Sequence, residues 1–401
     1  MLHICHISTT FNLRSGSAHR TSVILTRCIA QGYKVSLLIG RDHDVRPEDL
    51  PGVDIYVIPE LVKYISPRLD AIAPWRLRRI LREIRPDLVH THLAKAGIIG
   101  RLAAWSVGVP HILHTVHGPT FPQYFHPLKR NLFRILEKLC GWITCQFVFV
   151  GHDLRQEYIA AGVCTFRNSC VIQTGRPDAV FARSPLSATE RKQMRLDICG
   201  GSVPHFLVVT VGRLVPAKQL AHGIRVIKEL HAQDIQAHLA VVGKSLLREE
   251  RKHEQKLIRL SRELALADYV HFCGFRTDII KVMESADAIL LTSHYEGLPN
   301  VAVEAVISGT PMVAYDVSGI REVLQEGVTG WIVPQGDIGR IVQILSQLSL
   351  DDRVDRQVRP TQPRDEGLLR NFRESVMVAR KMKLYAEILA LGDPHKQAVE
   401  L

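Results

Sequence analysis

No run of about 18 uncharged apolar residues occurs in the 401-residue chain, so no transmembrane helix is expected. The opening stretch, MLHICHISTTFNLRSGS, has no basic segment ahead of a long apolar one. It reads as a first β-strand and not as a signal peptide. The eight cysteines (5, 28, 140, 145, 164, 170, 199 and 273) contain no CxxC pair. Neither a zinc site nor a disulfide framework is indicated, and a reduced cytosol fits best. There is no solenoid-type repeat. Composition does not point to disorder either, with 46% hydrophobic and 23% charged residues.

What is present is a long α/β chain, enough for two or three domains. The net charge of +11 is uneven. Residues 1–180 carry 22 Lys and Arg against 13 Asp and Glu (+9), and the remainder 29 against 27 (+2). The first-half excess suits an anionic membrane surface, an anionic acceptor or nucleic acid, and equally an ordinary solubilising surface.

Strand-like and helix-like segments alternate. Leu2–Ser8, Lys34–Ile39, Asp54–Ile58, Asp87–Thr91, His111–Val116 and Ile143–Val150 read as strands, with a helix at Ala18–Ala30. After the Pro177–Pro204 stretch the alternation restarts. Strands are expected at Phe206–Gly212, Ala237–Gly243, Tyr269–Cys273 and Ala286–Thr292, and helices at Gln219–His231 and Glu249–Leu266. The pattern implies two doubly wound parallel sheets. The expected division is a domain over 1–185, a second over 186–368, and a terminal segment over 369–401. Its helix, Leu369–Leu389, follows the polar stretch Arg359–Gly367 and returns to the first domain.

One segment raises a chemical question. Ser293–Asp316 reads SHYEGLPNVAVEAVISGTPMVAYD and holds Glu296 and Glu304 with seven residues between them. An apolar strand precedes it, Pro299 suits a helix start and Gly309 a helix stop. Ligands of open α/β sheets bind outside such strand ends, where free helix N–H groups suit an anion or a sugar hydroxyl. Glu304 lies among Val301, Ala302, Val303, Ala305, Val306 and Ile307, so a buried carboxylate needing a partner is expected. Ligand hydroxyls would supply that partner; the alternative is a core Glu paired with an Arg or capped by backbone N–H groups.

This stretch resembles the Glu-x7-Glu signature of retaining glycosyltransferases of family four. VGRLVPAKQL (211–220), VVGKSLLREE (241–250), FCGFRTDI (272–279) and GIREVLQEGVTGWIVPQGD (319–337) are similar to further segments of that family, in order. THLAKAGIIGRLAA and HTVHG resemble members that build bacterial surface polysaccharides. The resemblance implies a GT-B fold: two Rossmann-like domains facing across a cleft, the first on the acceptor side, the second binding a nucleotide sugar.

It also implies roles. Glu304 hydrogen-bonds the ribose of a nucleoside-diphosphate sugar, and Glu296 lies beside the donor sugar. Backbone of Gly297, Leu298, Pro299, Asn300 and Val301 contacts sugar and phosphate. Arg213 and Lys218 offset the diphosphate charge as it leaves. His117 hydrogen-bonds the donor sugar near the reacting carbon. Gly16 sits in a turn where relatives carry a Gly-Gly pair; Ser17 occupies the second place here. The expected reaction is transfer of a hexosyl unit, from a UDP sugar for preference, to a glycan or lipid-linked acceptor. Retention is expected by front-face attack, since no covalent nucleophile is evident. No metal and no resident cofactor are expected, the sugar nucleotide being a substrate.

Other patterns are set aside. Asp42-His43-Asp44 spells DxD but reads as a solvated loop. Gly243-Lys244-Ser245 ends like a P-loop, but His238 stands where its first glycine belongs. His111, His114 and His117 cannot share one strand face. Tyr124–Leu139 and Trp75–Arg85 are basic with interleaved apolar residues, which suits an anionic membrane carrying the acceptor or helices packed on the sheet. Lys95 and Arg101 are candidates for an acceptor phosphate. A cytoplasmic enzyme at the inner face of the plasma membrane is the resulting expectation. A nucleotide-sugar epimerase of similar shape and a non-catalytic sugar-nucleotide binder are the alternatives. No nucleic-acid partner is expected, because DNA accounts for the charge but not for the carboxylates.

Overall fold

Short runs rich in Val, Ile and Leu form the strands of two all-parallel sheets. Such strands are covered on both faces and need no polar alternation. The computed structural model describes residues 1–13, 15–122, 125–245, 248–350 and 366–391. The chain divides into two units at Arg176/Pro177 and Arg370/Asn371.

The first unit contains β1 (His3–Phe11), β2 (Lys34–His43), β3 (Val53–Ile58), β4 (Leu88–His92), β5 (His111–Val116), β6 (Gln146–Phe149) and β7 (Ser169–Val171). Their spatial order is β3-β2-β1-β4-β5-β6-β7. Helices α1 (Gly16–Ala30), α2 (Pro67–Ile84), α3 (Ala94–Trp105), α4 (Pro127–Trp142) and α5 (His152–Ala160) connect them. Helix α3 lies close on the sheet because Gly97 and Gly100 lack side chains. A Cβ on Gly97 would come 2.4 Å from the His114 ring, and one on Gly100 2.9 Å from Thr91.

The second unit contains β8 (Phe206–Val211), β9 (Ala237–Val242), β10 (Val270–Gly274), β11 (Ala288–Leu291), β12 (Met312–Tyr315) and β13 (Gly330–Val333). They are ordered β10-β9-β8-β11-β12-β13. Its helices are α6 (Ala179–Ala182), α7 (Ala188–Ile198), α8 (Leu220–His231), α9 (Arg248–Glu263), α10 (Ile279–Ser285), α11 (Asn300–Ser308), α12 (Ile338–Leu350) and α13 (Glu366–Arg370). The last helix, α14 (Glu374–Ala390), belongs to the first unit. There Met377, Met382, Tyr385 and Ile388 pack against Ile24, Leu25 and Cys28 of α1 and against the sheet.

Several elements depart from the sequence reading. Residues 177–185 join the second unit, where Arg183 pairs with Glu284 and, further along, Arg195 with Asp287 at 2.8 Å. Residues 143–145 lie outside β6, following the end of α4. Strand β2 runs on to His43 because Asp42 and His43 pair with Thr10 and Phe11, so part of the DxD loop is strand. The Leu369–Leu389 helix is broken at Asn371–Arg373. Here the Arg176 N–H donates to the Phe372 carbonyl (2.7 Å) and the Glu374 N–H to the Arg176 carbonyl (2.8 Å). Strands β7, β12 and β13 and helix α12 had not been anticipated. Most of the Arg359–Gly367 stretch falls outside the described residues, as does Tyr124. In both sheets the strand order reverses beside the strand that comes first in sequence, at β1/β4 and at β8/β11. Crevices at such switch points are where open α/β sheets bind ligands.

Candidate functional site

In the second unit, the segments leaving β8 and β11 are tied together. The Thr292 hydroxyl donates to the Lys218 carbonyl (2.9 Å), and the His294 N–H to the Ala217 carbonyl (2.8 Å). Lys218 ends a 3-10 turn that Pro216 opens, and its ammonium pairs with Glu296. Both side chains are largely buried. Gly212 and Gly243 meet backbone to backbone: a Cβ on Gly243 would lie 1.9 Å from the Gly212 carbonyl oxygen. Arg213, half-exposed, donates to Glu250 at 3.2 Å, a buried carboxylate of α9. Glu250 was missed in the sequence, although it closes the VVGKSLLREE segment. Leu246 and Leu247 of that segment lie outside the described residues.

Helix α11 begins at Asn300 with Pro299 as its cap, one place later than a Pro in the first turn would give. No side chain caps it. Its first-turn N–H groups are of the kind a ligand satisfies. Gly297, Leu298, Pro299 and Val301 are buried. Gly319, at φ +76°, presses on this loop: a Cβ there would lie 2.9 Å from the Gly297 carbonyl oxygen and 3.1 Å from Leu298 Cα. Ser293, fully buried, has no hydrogen-bond partner for its hydroxyl among the described residues. Glu304 is half-buried, not sunk in the core. With Asn300 it forms the one polar i,i+4 edge of a helix whose other residues are buried.

In the first unit, His117 follows β5 and is half-buried. Its Nε2 lies 3.2 Å from His92 Nδ1 at the end of β4. Burial, then the charge of Lys381, pushes the His117 pKa down to about 4. Burial likewise holds His92 well below the usual histidine range. The next residue, Leu93, takes φ 64°, a left-handed conformation that costs of order 1–3 kcal/mol and is characteristic of functional turns. Gly16 is the first residue of α1 and not part of a free turn; its carbonyl accepts from Arg20, a buried guanidinium that also donates to the Gly175 carbonyl at 3.2 Å. Arg20 was not anticipated.

Arg101 is not available to an acceptor: it is 0% exposed and pairs with Glu137 at 2.6 Å. Lys95 is tied to Asp70 and to the Tyr64 carbonyl. His114 faces Thr91, with Nδ1 2.9 Å from its hydroxyl, and takes no part in a ring of three histidines. Helix α2 packs inward through Ala73, Leu77 and Leu81 and leaves Trp75 exposed. Helix α4 exposes Leu128, Leu132, Ile135, Leu139 and Trp142, spaced as one stripe. Among the described residues no helix is long and apolar enough to cross a membrane.

Residues 15–175 match the family model described as glycosyl transferase 4-like domain, and residues 202–363 that of glycosyl transferases group 1. The chain is similar to the UDP-Gal:alpha-D-GlcNAc-diphosphoundecaprenol alpha-1,3-galactosyltransferase of Escherichia coli, at 26% identity over 75% of this chain and 76% of that protein. It is also similar to the capsular polysaccharide biosynthesis glycosyltransferase CapM of Staphylococcus aureus, at 22% identity over 80% and 84%. Among solved structures it resembles Anabaena Alr3699/HepE in complex with UDP and glucose, with a TM-score of 0.75 and 19% identity, covering 96% of this chain and all of that one.

Proposed function

The chain belongs to the family-four-like glycosyltransferases and has their GT-B fold. On that premise we propose that it moves a hexosyl unit from a UDP sugar to a glycan or lipid-linked acceptor, with retention, in building a cell-surface polysaccharide or glycolipid. The observation that carries this is the Lys218–Glu296 pair beside the uncapped start of α11, at the switch point of the second sheet. A cation and a row of backbone N–H groups there suit a diphosphate, and the adjoining carboxylates suit hydroxyls. The relatives add support: one is named for a UDP sugar and a diphosphoundecaprenol acceptor, another for capsular polysaccharide, and one fold relative holds UDP and glucose.

In this reading Glu304 and Asn300 face the ribose, and Glu296 orients both Lys218 and the sugar. Lys218 and Arg213 stabilise the diphosphate as its bond to the anomeric carbon breaks. The acceptor oxygen bonds to the same face of that carbon, and its proton passes to the departing phosphate oxygen. His117 contacts the donor sugar. No metal is required, since the two cations supply the charge. The exposed stripe of α4 is flanked by Lys129, Arg134 and Lys138, while its carboxylate, Glu137, is buried. An anionic membrane presenting a lipid-linked acceptor fits that face.

Thermal melting with UDP, GDP, ADP and their common sugars tests the proposal. One base is expected to raise the melting temperature, by about 2.7 kcal/mol of stabilisation at a hundredfold excess over Kd. The shift should vanish in Glu304→Ala and Arg213→Ala. No shift with any nucleotide at millimolar concentration overturns the donor assignment. With the donor identified, Lys218→Ala should lower kcat by about 10²–10³.

A further inference from the structure

Behind His117 a continuous series of polar contacts crosses the interior of the first unit. His117 Nε2 meets His92 Nδ1 (3.2 Å), and His92 Nε2 meets His6 Nδ1 (2.9 Å). His6 Nε2 lies 3.4 Å from the Tyr385 hydroxyl, which is 2.6 Å from His90 Nδ1. His90 Nε2 meets the Thr115 hydroxyl (2.7 Å), and Lys381 Nζ donates to that hydroxyl at 2.9 Å. The strands place these groups by period: His90 and His92 share one face of β4, Thr115 and His117 follow the same alternation along and beyond β5, and His6 pairs with His90 across β1 and β4. Lys381 and Tyr385 are one turn apart on α14.

His6, His90 and His92 offer nitrogens within 4.8 Å of one another, which could suggest a metal site. Every ring nitrogen of the three is already in a hydrogen bond, however, and a buried ammonium adjoins them. A hydrogen-bond chain accounts for each of these groups. The cavity beside them, about 30 Å³, has room for a water or two.

The chain has a direction. A lysine ammonium can only donate. Thr115 therefore accepts from Lys381 and passes its own hydrogen to His90 Nε2. His90 then donates from Nδ1 to Tyr385, Tyr385 to His6 Nε2, His6 from Nδ1 to His92 Nε2, and His92 from Nδ1 to His117 Nε2. Run the other way, the chain leaves the Thr115 hydrogen with no acceptor among the described residues. The favoured direction gives the hydrogens of Thr115, His90, Tyr385, His6 and His92 an acceptor each and makes His117 Nε2 an acceptor, so its proton sits on Nδ1. That atom has no partner among the described residues.

We propose that Lys381, Tyr385, His90, His6 and His92 are positioning residues that hold neutral His117 as its Nδ1–H tautomer, through a hydrogen-bond chain whose direction Lys381 sets. The proposal rests on His117 contacting the donor sugar. It deepens that reading: His117 offers its ligand an N–H and never a lone pair, so it recognises an oxygen acceptor and cannot serve as a general base from Nδ1. Burial supports the neutral state. It pushes His6 down to about 3, while Lys381, pushed down to about 8, stays mostly ammonium at neutral pH.

Two-bond proton–nitrogen NMR on full-length protein with ¹⁵N-labelled imidazoles, at pH 7, tests it, with His117 assigned through His117→Asn. The wild type should show His117 as Nδ1–H. Lys381→Met, which removes the donor-only start, and Tyr385→Phe, which cuts the middle, should each convert His117 to Nε2–H or a mixture. In a transfer assay both should lower kcat by about 10²-fold, as small misplacements of reacting groups do. An Nε2–H signal in the wild type, or a tautomer unmoved in both variants, overturns the proposal. If the tautomer is as stated but His117→Asn transfers sugar normally, the role of His117 falls while the chain stands.

Discussion

The seven-stranded sheet buries His6, His90, His92 and His114 as neutral rings, and α14 sets beside them an ammonium, Lys381, with no carboxylate partner among the described residues. The second unit joins buried or half-buried cations to carboxylates: Lys218 to Glu296 and Arg213 to Glu250 beyond the end of β8, and Arg195 of α7 to Asp287. Both are doubly wound parallel sheets, so topology does not dictate the difference. Imidazoles satisfy one another as donor and acceptor without charge, whereas an isolated ion in the same place must find a counter-ion or yield its proton. The first arrangement is directional and sensitive to acid. The second sets each charge against an opposite one.

The largest expected effect is acid unfolding of the first unit. His117 and His6 have folded pKa values of about 4 and 3, below the ordinary 6.5, mainly through burial. Between those values and 6.5 the unfolded chain binds more protons, so stability rises with pH through this window and falls as pH drops from 6.5 toward 4. Each histidine contributes up to about 1.4 kcal/mol per pH unit. Urea midpoints of the first unit's transition at pH 7 and 5 should differ clearly; equal midpoints would contradict the burial argument. Next comes Glu137→Ala, which strands Arg101 at full burial and should cost about 3–5 kcal/mol. Lys381→Met removes a buried charge that has no carboxylate partner among the described residues and should instead stabilise, by up to about 3 kcal/mol. The lysine's folded pKa is depressed, so its penalty is full below about pH 8 and fades toward 10.5. The gain should therefore be larger at pH 7 than at pH 10.

Much of the second unit could be read from the chain because its signals are local. Apolar runs such as Phe206–Val211 and the nine residues from Glu296 to Glu304 put strand, turn and helix in one short window. Even so, the apolar neighbours of Glu304 in sequence suggest an enclosed carboxylate, whereas the helical period sets it on the open edge beside Asn300. The histidine chain was not legible, since His6, His90 and Tyr385 meet only through strand pairing and the docking of α14. Arg101 looked like an acceptor contact because its partner, Glu137, is 36 residues away on another helix. Strands β12 and β13 are four-residue runs with too few positions to show a period; β6 and β11 are as short but were legible within the longer apolar stretches Ile143–Val150 and Ala286–Thr292.

The smallest effect belongs to the surface, where the two units differ most in charge. The stripe Leu128–Leu132–Ile135–Leu139–Trp142 runs along α4 at four- and three-residue steps, and all five side chains are exposed. Lys129, Arg134 and Lys138 flank it, each worth about 1 kcal/mol near an anionic bilayer. Flotation with vesicles containing phosphatidylserine should capture the protein, and neutral vesicles should capture it more weakly. Leu132→Glu adds a like charge to the membrane and removes buried apolar area, while leaving α4's inward residues Glu137, Cys140 and Gly141 in place. Binding should fall about tenfold with the melting temperature nearly unchanged. Equal binding to both vesicle types would instead assign the first-half charge to solubility or to an anionic acceptor.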